Sequence, residues 1–284
     1  MRVIGIDIGG TSIKLGVVSR DGQIIHRDQR ATPSAIGEMA RLVYSMAQSA
    51  RQHHPKARVG ISCAGTLDSQ GHITANQMGW VNEPIKKLIH EQFQTPVPIE
   101  NDAVCALFAE HRHGALKGHD TGILLTLGTG IGGGVVIAGQ PMRGHLGLHG
   151  EIGHMVTHAN GLDCGCGQQG CWEQYAAARV LGRMAGGLSP QEVISQVKAG
   201  RMLDIWQAYI DEVVTGLGSL MMIFMPEVIA LGGGLSNAGS ILIDAIRQAA
   251  QKTRAYRTYS PFTQFVSARF QNDAGILGAA ALVS

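Results

Sequence analysis

Two glycine-rich turns, each placed between apolar segments of β-strand character, constrain this chain most strongly. The first is Asp7-Ile8-Gly9-Gly10-Thr11, which follows residues 3–6, and the second runs from Gly128 to Gly134 after residues 121–127. Without Cβ atoms, the backbone N–H groups of such a turn come close to a ligand, and successive N–H groups form an anion-binding nest. Two nests on two hairpins predict one polyphosphate held by both turns, as in a nucleotide-binding protein.

The same glycines have other interpretations. A Gly-Gly pair in a β-hairpin is often only a tight turn, because primed turns need positive φ. Gly128, Gly130 and Gly133 match the spacing of the dinucleotide-binding fingerprint, but that fingerprint opens a helix. Here the apolar run 135–138 continues as a strand, which argues against that interpretation. No Gly-Lys-Ser/Thr sequence closes either turn, so neither is a P-loop.

Composition describes an ordinary globular protein. The 284 residues are 45% hydrophobic and 15% charged, enough for one large domain or two smaller ones. A formal net charge of +2 gives no reason to expect a nucleic-acid partner. No apolar run is long enough to span a membrane, and the chain enters a strand directly after Met1 without a signal-peptide pattern. We therefore expect a cytoplasmic protein with no membrane partner.

Three of the five cysteines lie close together, at Cys164, Cys166 and Cys171. Cys63 and Cys105 stand alone in apolar surroundings, which is typical of buried, inert thiols. In a reducing compartment the cluster favours a metal over a disulfide. Three thiolates need a fourth ligand for tetrahedral zinc, usually a histidine, and both His154 and His158 lie just upstream. The cluster therefore predicts a zinc site, with free thiols as the alternative.

Hydrophobic periodicity predicts an α/β chain. Strands are expected at residues 3–8, 13–18, 23–28, 58–62, 97–100, 122–127, 134–138, 228–231 and 263–267. Helices are expected at residues 35–50, 84–93, 103–113, 172–182, 190–198, 203–224, 241–252 and 274–282. The early order of three strands, helix, strand and helix recurs less cleanly after residue 120, which indicates an internal duplication. We expect a small N-terminal lobe at 1–117, joined by the helix at 273–284, and a large lobe with the zinc knuckle at 118–272.

Six segments, in this order, resemble the ROK family (repressor, open reading frame, kinase) of sugar kinases and repressors. They are Asp7-Ile-Gly-Gly-Thr11, Glu100-Asn-Asp102, the turn 128–134, Gly150-Glu-Ile-Gly-His154, the cysteine run ending at Glu173, and Leu231-Gly-Gly-Gly234. The resemblance implies a duplicated ribonuclease-H-like, actin-like ATPase fold with two lobes around a central cleft. Many repressors of the family carry a DNA-binding domain at the N-terminus, and there is no room for one before Asp7. We therefore expect an enzyme of the kinase branch.

The resemblance also implies roles for individual residues in an ATP-dependent kinase. Asp102 is expected to be the catalytic base at the reacting sugar hydroxyl; as a residue at a helix N-terminus it is also a candidate N-cap, and both roles can coexist. Asp7 is expected to act through water on the Mg²⁺ of MgATP, with a turn-stabilising contact as the alternative. Nucleotide and phosphate contacts are expected from Asp7, Gly9, Gly10, Thr11, Gly128, Thr129, Gly130, Gly132, Gly133, Gly232, Gly233 and Gly234.

The sugar pocket implied by the resemblance is polar. Carboxylates, carboxamides and imidazoles can each serve two sugar hydroxyls. The residues expected there are Asn76, Asn101, Asp102, Glu151, His154 and Glu173. The metal ligands then become His154, Cys164, Cys166 and Cys171. With four protein ligands the zinc is structural, and His154 directs its second ring nitrogen at a sugar hydroxyl.

The expected reaction places phosphate on the 6-hydroxyl of a hexose. The carboxylates of Glu151 and Glu173 accept hydrogen bonds from free hydroxyls, so glucose or a close epimer is the leading substrate. Kinases of N-acetylmannosamine, N-acetylglucosamine, fructose and allose are the alternatives. A non-catalytic sugar sensor is an alternative of a different functional class, and such a protein would not need a base at position 102. A zinc hydrolase is a more distant alternative, because its zinc would need an open coordination position. The enzyme is expected to form a homodimer or a dimer of dimers.

Overall fold

The computed structural model describes residues 2–145, 151–252, 257 and 262–284. Gly150, the first residue of the Gly-Glu-Ile-Gly-His segment, lies outside these residues. The chain divides into two compact units. Unit 1 comprises Met1–Lys117, Arg143–His149 and Asn272–Ser284, and unit 2 comprises Gly118–Met142 and Gly150–Gln271.

Unit 1 contains a five-stranded sheet and a small three-stranded sheet. The strands of the small sheet lie between the fourth and fifth strands of the large sheet in the sequence. The strands are β1 Val3–Ile8, β2 Ser12–Val18, β3 Ile24–Ala31, β4 Arg58–Cys63, β5 Thr66–Leu67, β6 Ile73–Ala75, β7 Trp80–Glu83 and β8 Ile99–Asn101. The large sheet has the order β3-β2-β1-β4-β8, with β1, β4 and β8 parallel to one another and β2 antiparallel to both neighbours. The central strands are almost continuously apolar, as strands covered on both faces are.

The helices of unit 1 are α1 Ile36–His53, α2 Ile85–Phe93, α3 Asp102–His113 and, from the end of the chain, the helix Ala274–Ala281, which is α9 in chain order. Close packing of α9 on the sheet depends on glycine. A Cβ atom at Gly5 of β1 would lie 2.0 Å from the carbonyl oxygen of Ile276, and one at Gly60 of β4 would lie 2.0 Å from that of Ala279. The last helix therefore packs directly on the first strand of the chain.

Unit 2 repeats the same strand arrangement. Its strands are β9 Gly122–Leu127, β10 Ile131–Ile137, β11 Gln140–Pro141, β12 Val228–Gly232 and β13 Gln264–Ser267. The sheet order is β11-β10-β9-β12-β13, with β9 antiparallel to β10 and parallel to β12. The pairing of β9 with β10 and β12 corresponds to that of β1 with β2 and β4. The predicted α/β fold and its internal duplication are confirmed.

The helices of unit 2 are α4 Glu173–Ala176, α5 Ala178–Met184, α6 Pro190–Lys198, α7 Leu203–Phe224 and α8 Ser240–Lys252. Residues 172–182, predicted as one helix, form two helices instead. Ala177 is extended (φ −66°, ψ 153°), and the N–H of Ala178 donates to the carbonyl oxygen of Gly128 at 2.9 Å. A tertiary hydrogen bond thus breaks the helix at the second glycine turn.

Two other features differ from the expectation. The small sheet β5-β6-β7, which leads into Asn76, was not predicted. The strand after the second turn begins at Ile131 and not at residue 134, so Gly132 and Gly133 lie in β10, paired with Thr126 and Leu125. None of the described helices combines the length and the apolar character needed to cross a membrane.

Candidate active site and metal centre

The carboxyl ends of three parallel strands bring the predicted residues of unit 1 to one sheet edge. Asp7 is the penultimate residue of β1, Cys63 ends β4, and Asn101 ends β8. Ile8 is in register with Cys63, which in turn is in register with Asn101. Asp102 follows Asn101 as the first residue of α3. This edge is the place where open α/β sheets bind ligands.

Asn101, and not Asp102, is the N-cap of α3. The Asn101 side-chain oxygen accepts hydrogen bonds from the N–H groups of Ala103 at 2.8 Å and Val104 at 3.4 Å. Its amide nitrogen donates to the carbonyl oxygen of Gly65 at 2.7 Å. Asp102 is exposed, and its carboxylate accepts a hydrogen bond from Ala103 N–H at 2.9 Å. The capping role is therefore filled by its neighbour, and a carboxylate oxygen of Asp102 is left for a ligand.

The protein environment raises the pKa of Asp102 even though the residue is exposed. Desolvation by the surrounding protein raises the pKa of Asp102, the hydrogen bond from the Ala103 N–H lowers it, and the negative charge of Asp7 raises it. A carboxyl group with a raised pKa is a stronger base than an ordinary aspartate once it is ionised. The pKa shift therefore suits a group that accepts a proton.

Asp7 is enclosed more deeply than Asp102. Burial raises the pKa of Asp7, while a hydrogen bond from Ser62 and the charge of Lys14 lower it. Ser62 lies opposite Asp7 in the register of β1 and β4, and its hydroxyl donates to Asp7 Oδ1 at 2.8 Å. A Cβ atom at Gly275 would lie 2.3 Å from the Asp7 carboxyl carbon, so the N-terminal turn of α9 packs directly on this carboxylate. Ser62 and Lys14 were not predicted; the one signal for Ser62 is a polar residue within an apolar strand.

The first glycine turn has the properties of an anion nest. The Gly9 N–H donates to the carbonyl oxygen of Ser12 at 3.0 Å, and the Thr32 hydroxyl donates to that of Gly9 at 2.7 Å, which holds the turn. Gly10 and Thr11 are exposed. Within the described part of the chain their N–H groups have no hydrogen-bond partner, so two adjacent donors face outward. Such donors suit a phosphate oxygen.

In unit 2 two further turns meet at the carboxyl ends of the parallel strands β9 and β12. The turn after β9 contains Gly128, Thr129 and Gly130, and is closed by a bond from Gly128 N–H to the Gly130 carbonyl at 3.0 Å. Gly233, with φ +77°, follows β12, and a Cβ atom there would lie 2.5 Å from the carbonyl oxygen of Leu127. The predicted nucleotide residues at 128–130 and 232–234 are therefore neighbours.

Glu173, predicted to bind sugar, lies against the second glycine turn. The Ile131 N–H donates to Glu173 Oε2 at 3.4 Å, and a Cβ atom at Gly130 would lie 2.6 Å from the same oxygen. Arg179 contacts Glu173 Oε1 at 3.5 Å and also donates to the carbonyl oxygen of Thr129. Arg179, which was not predicted, thus fixes both the turn and the carboxylate.

The cysteine cluster is arranged as a metal site. The ligand atoms of His154, Cys164, Cys166 and Cys171 all lie within 4.8 Å of one another. The Sγ atoms of Cys166 and Cys171 are 3.6 Å apart, and Cys164 Sγ is 3.4 Å from His154 Nδ1. Zn–S bonds of about 2.3 Å in a tetrahedron place two sulfurs about 3.8 Å apart. The four residues are therefore compatible with a zinc ion.

His154 is the histidine of this cluster, which resolves the choice between it and His158. His154 Nδ1 is directed at the cysteines, and Nε2 lies 3.6 Å from Glu151 Oε2. His158 instead stacks on Tyr175 with ring centroids 3.8 Å apart and contacts Glu212 at 3.6 Å. Glu151 and Asn76, both predicted to contact sugar, are exposed in units 2 and 1 respectively.

Comparison with known proteins agrees with these features. The ROK family model matches residues 3–284. The chain is 34% identical over 305 residues to "Glucokinase" of Streptomyces coelicolor, covering 98% of this chain and 96% of that one, and 32% identical over 261 residues to "N-acetyl-D-glucosamine kinase" of Pectobacterium carotovorum, covering 84% and 85%. A solved ROK family glucokinase from Streptomyces griseus, in complex with glucose and AMPPNP, is 32% identical with a TM-score of 0.81, covering 99% of both chains. This chain belongs to the ROK family.

Proposed function

We propose that this protein is an ATP-dependent sugar kinase that transfers phosphate to the 6-hydroxyl of a hexose, with glucose or a close epimer as the leading substrate. The observation that carries the proposal is the edge of the unit 1 sheet, where Asn101 caps α3 and leaves the Asp102 carboxylate available beside Asp7. Relatives that phosphorylate glucose and N-acetylglucosamine support the same class of reaction.

Asp102 is the catalytic base in this proposal. Its ionised carboxylate accepts the proton of the attacking hydroxyl, and the oxygen then bonds to the γ-phosphorus while ADP leaves. The raised pKa of Asp102 brings the base nearer to the pH at which proton transfer is efficient. Asn101 positions Asp102 through its bonds to the first turn of α3 and to Gly65.

Phosphate binding is assigned to the glycine turns and Asp7. The outward N–H groups of Gly10 and Thr11 are donors for phosphate oxygens in unit 1, and residues 128–130 and 232–234 serve the nucleotide in unit 2. Gly132 and Gly133 support the second turn from within β10. A Mg²⁺ ion bound with ATP supplies charge neutralisation on the phosphates. Asp7, held by Ser62, is the carboxylate that would bind this ion through water.

We assign sugar-contacting roles within unit 1 to Asn76, Asn101 and Asp102. Within unit 2, considered by itself, the corresponding roles are assigned to Glu151, His154 and Glu173. The orientation of His154 supports its double role, since Nδ1 is directed at the cysteines and Nε2 at Glu151. Zinc held by His154 and the three cysteines would fix the imidazole and its tautomer. We assign the zinc a structural role, because four protein ligands leave no open position.

Units 1 and 2 are proposed to act as the small and large lobes of the kinase, and the active form is proposed to be a homodimer or a dimer of dimers. Unit 2 supports this with exposed apolar residues at the end of α7: Met222, Ile223 and Met225 are 50%, 66% and 54% exposed. Clustered exposed apolar side chains are typical of association surfaces. ATP consumption and free thiols that hold a metal both suit the reducing cytoplasm.

An N-acetylhexosamine is the alternative substrate, favoured by the relative that is an N-acetyl-D-glucosamine kinase. A non-catalytic sugar sensor is the other class. A coupled assay of ADP release over glucose, mannose, fructose, allose, N-acetylglucosamine and N-acetylmannosamine tests all of these. We expect glucose or a neutral epimer to have the highest kcat/KM. A faster N-acetylhexosamine overturns the substrate assignment, and no ADP release with any of them overturns the kinase.

A further inference from the structure

Unit 1 contains a cavity at the end of its sheet opposite to Asp7 and Asp102. Its lining comes from the first residue of β1, Val3, the first residue of β4, Arg58, and the last two residues of α3, Arg112 and His113. The C-terminal part of α9 contributes as well. The strands and helix that carry Asp7 and Asp102 at one end therefore line this cavity at their other end. The 12 residues of α3 span about 18 Å between Asp102 and His113.

The cavity is lined by positive charge. Arg20, Arg58 and Arg112 reach it from three different segments, and His113 lies with them. All three arginines are exposed, and among the residues that the structure describes none of their guanidinium groups has an ion pair or a side-chain hydrogen bond. Arg27, by contrast, is paired with Asp273 at 2.7 Å. Three unpaired guanidinium groups around one cavity favour the binding of an anion.

Asp21, the acidic residue next to Arg20 in sequence, forms no ion pair with the three arginines in the part of the chain that the structure describes. Its carboxylate is bonded to the Ser19 hydroxyl at 2.5 Å, and that bond is the main cause of its lowered pKa. His113 adds a smaller effect on the same carboxylate. No aspartate or glutamate side chain is among the described residues that line the cavity. Ser284, the last residue of the sequence, also lines the cavity, but among the described residues its terminal carboxylate forms no ion pair with an arginine. The guanidinium donors of Arg58 and Arg112 are thus left for a ligand.

The floor of the cavity is apolar, and its size limits the ligand. Val3, Val18, Leu277 and Ala280 form this floor. The volume is about 190 Å³, and a cavity of about 150 Å³ is large enough for benzene. A phosphate group with a body of about three carbons fits this space, whereas a nucleotide does not. Arginine forks bind the dianion, and the apolar floor contacts the carbon chain.

We propose that this cavity is a binding site for a small organic phosphate ester, separate from the sugar and nucleotide sites. The ligand shares its phosphate chemistry with inorganic phosphate, and the apolar floor distinguishes the two by favouring the ester. The site depends on Arg58 and Arg112, with Arg20 at its rim.

Isothermal titration calorimetry with sn-glycerol 3-phosphate tests the proposal. The full-length, zinc-loaded protein is first saturated with glucose and a non-hydrolysable ATP analogue, so that anion nests elsewhere are filled. We expect one ester bound per chain. Loss of one charge-assisted contact in Arg58→Gln or Arg112→Gln should weaken binding about tenfold or more. Arg41→Gln, which removes an exposed arginine of α1 outside the cavity, should bind like wild type.

Titrations with glycerol and with inorganic phosphate test which chemical class of ligand the cavity binds. Glycerol should give no binding, and inorganic phosphate should bind more weakly than the ester. Phosphate that binds as tightly as the ester overturns the assignment of an ester. Absence of ester binding, or binding unchanged in both Arg58→Gln and Arg112→Gln, overturns the site. Kinase activity equal to wild type in these variants shows that they are folded, and Arg58→Lys, which keeps the charge but loses the fork, should bind with intermediate affinity.

Discussion

Ser62 and Asp7 are register partners on the parallel strands β4 and β1, and the Ser62 hydroxyl donates to Asp7 Oδ1 at 2.8 Å. Ser62 is fully buried, and its hydrogen bond opposes the rise that burial causes in the pKa of Asp7. Ser62 therefore lowers the pKa of the Asp7 carboxyl and orients this group in a place where it is poorly solvated. We assign Ser62 as a positioning residue for the nucleotide end of the proposed site.

Replacing Ser62 with alanine should weaken the use of MgATP. Without the donor, the pKa of Asp7 rises further and its carboxylate is free to rotate. Loss of such a supporting partner typically costs about 10- to 100-fold. Steady-state kinetics should show kcat/KM for MgATP reduced by this factor, with the affinity for sugar in equilibrium binding unchanged. Ser45→Ala, at an exposed position of α1, is the control; equal kinetics in both variants would remove Ser62 from the site.

The pH dependence of the reaction should report the coupling between Asp7 and Asp102. The negative charge of Asp7 raises the pKa of Asp102, so Asp7→Asn should lower it. The base then stays ionised to lower pH, and the acid limb of kcat/KM for the sugar should move to lower pH even though turnover falls. A pH profile of the residual activity measures this. An acid limb that stays in place or moves upward would show that another group controls it.

Gly130 and Gly128 offer a matched pair of substitutions in the second glycine turn. A Cβ atom at Gly130 would lie 2.6 Å from Glu173 Oε2, whereas one at Gly128 meets no atom within 4 Å. Gly130→Ala should displace the Glu173 carboxylate and raise the KM for sugar. Gly128→Ala should leave the KM for sugar unchanged, whatever it does to ATP. The prediction fails if both variants have the sugar KM of wild type.

Metal analysis should find about one zinc per chain. Cys166→Ser should lower the zinc content and, because His154 is held by the same metal, also the affinity for sugar. Elemental analysis and sugar binding by calorimetry measure the two effects. Cys63→Ala, which changes a buried thiol outside the cluster, should keep the metal. Protein without metal that binds sugar with full affinity would contradict this coupling.

Local sequence patterns were enough for much of the fold. The start of α6 follows from a capping box, in which the Ser189 hydroxyl accepts from Glu192 N–H at 3.2 Å and Glu192 Oε2 accepts from Ser189 N–H at 2.7 Å. β1 and α7 were also predicted at their observed bounds, because their apolar patterns are long and regular. The metal cluster was visible because its three cysteines are close in sequence.

Features that depend on contacts distant in sequence could not be predicted in this way. The break at Ala177 is caused by a bond from Ala178 to Gly128, 50 positions earlier, which helix periodicity does not contain. The hydrogen bond between Ser62 and Asp7 can be predicted only when the register of β1 and β4 is known. The bond between Arg179 and Thr129 can be predicted only when the fold of unit 2 is known. The division of roles between Asn101 and Asp102 also needed the structure, since both residue types are good N-caps.

The most direct test of the proposed chemistry is turnover by Asp102→Asn. An asparagine can still accept the Ala103 N–H, and Asn101 still caps α3, so the helix should be unaffected. Loss of the base should lower kcat for ADP release with the best hexose by about 10²–10⁴-fold. Sugar affinity should stay within a few-fold of wild type, as in the control Asp28→Asn on β3. A kcat for Asp102→Asn within a few-fold of wild type would contradict the role of Asp102 as the catalytic base.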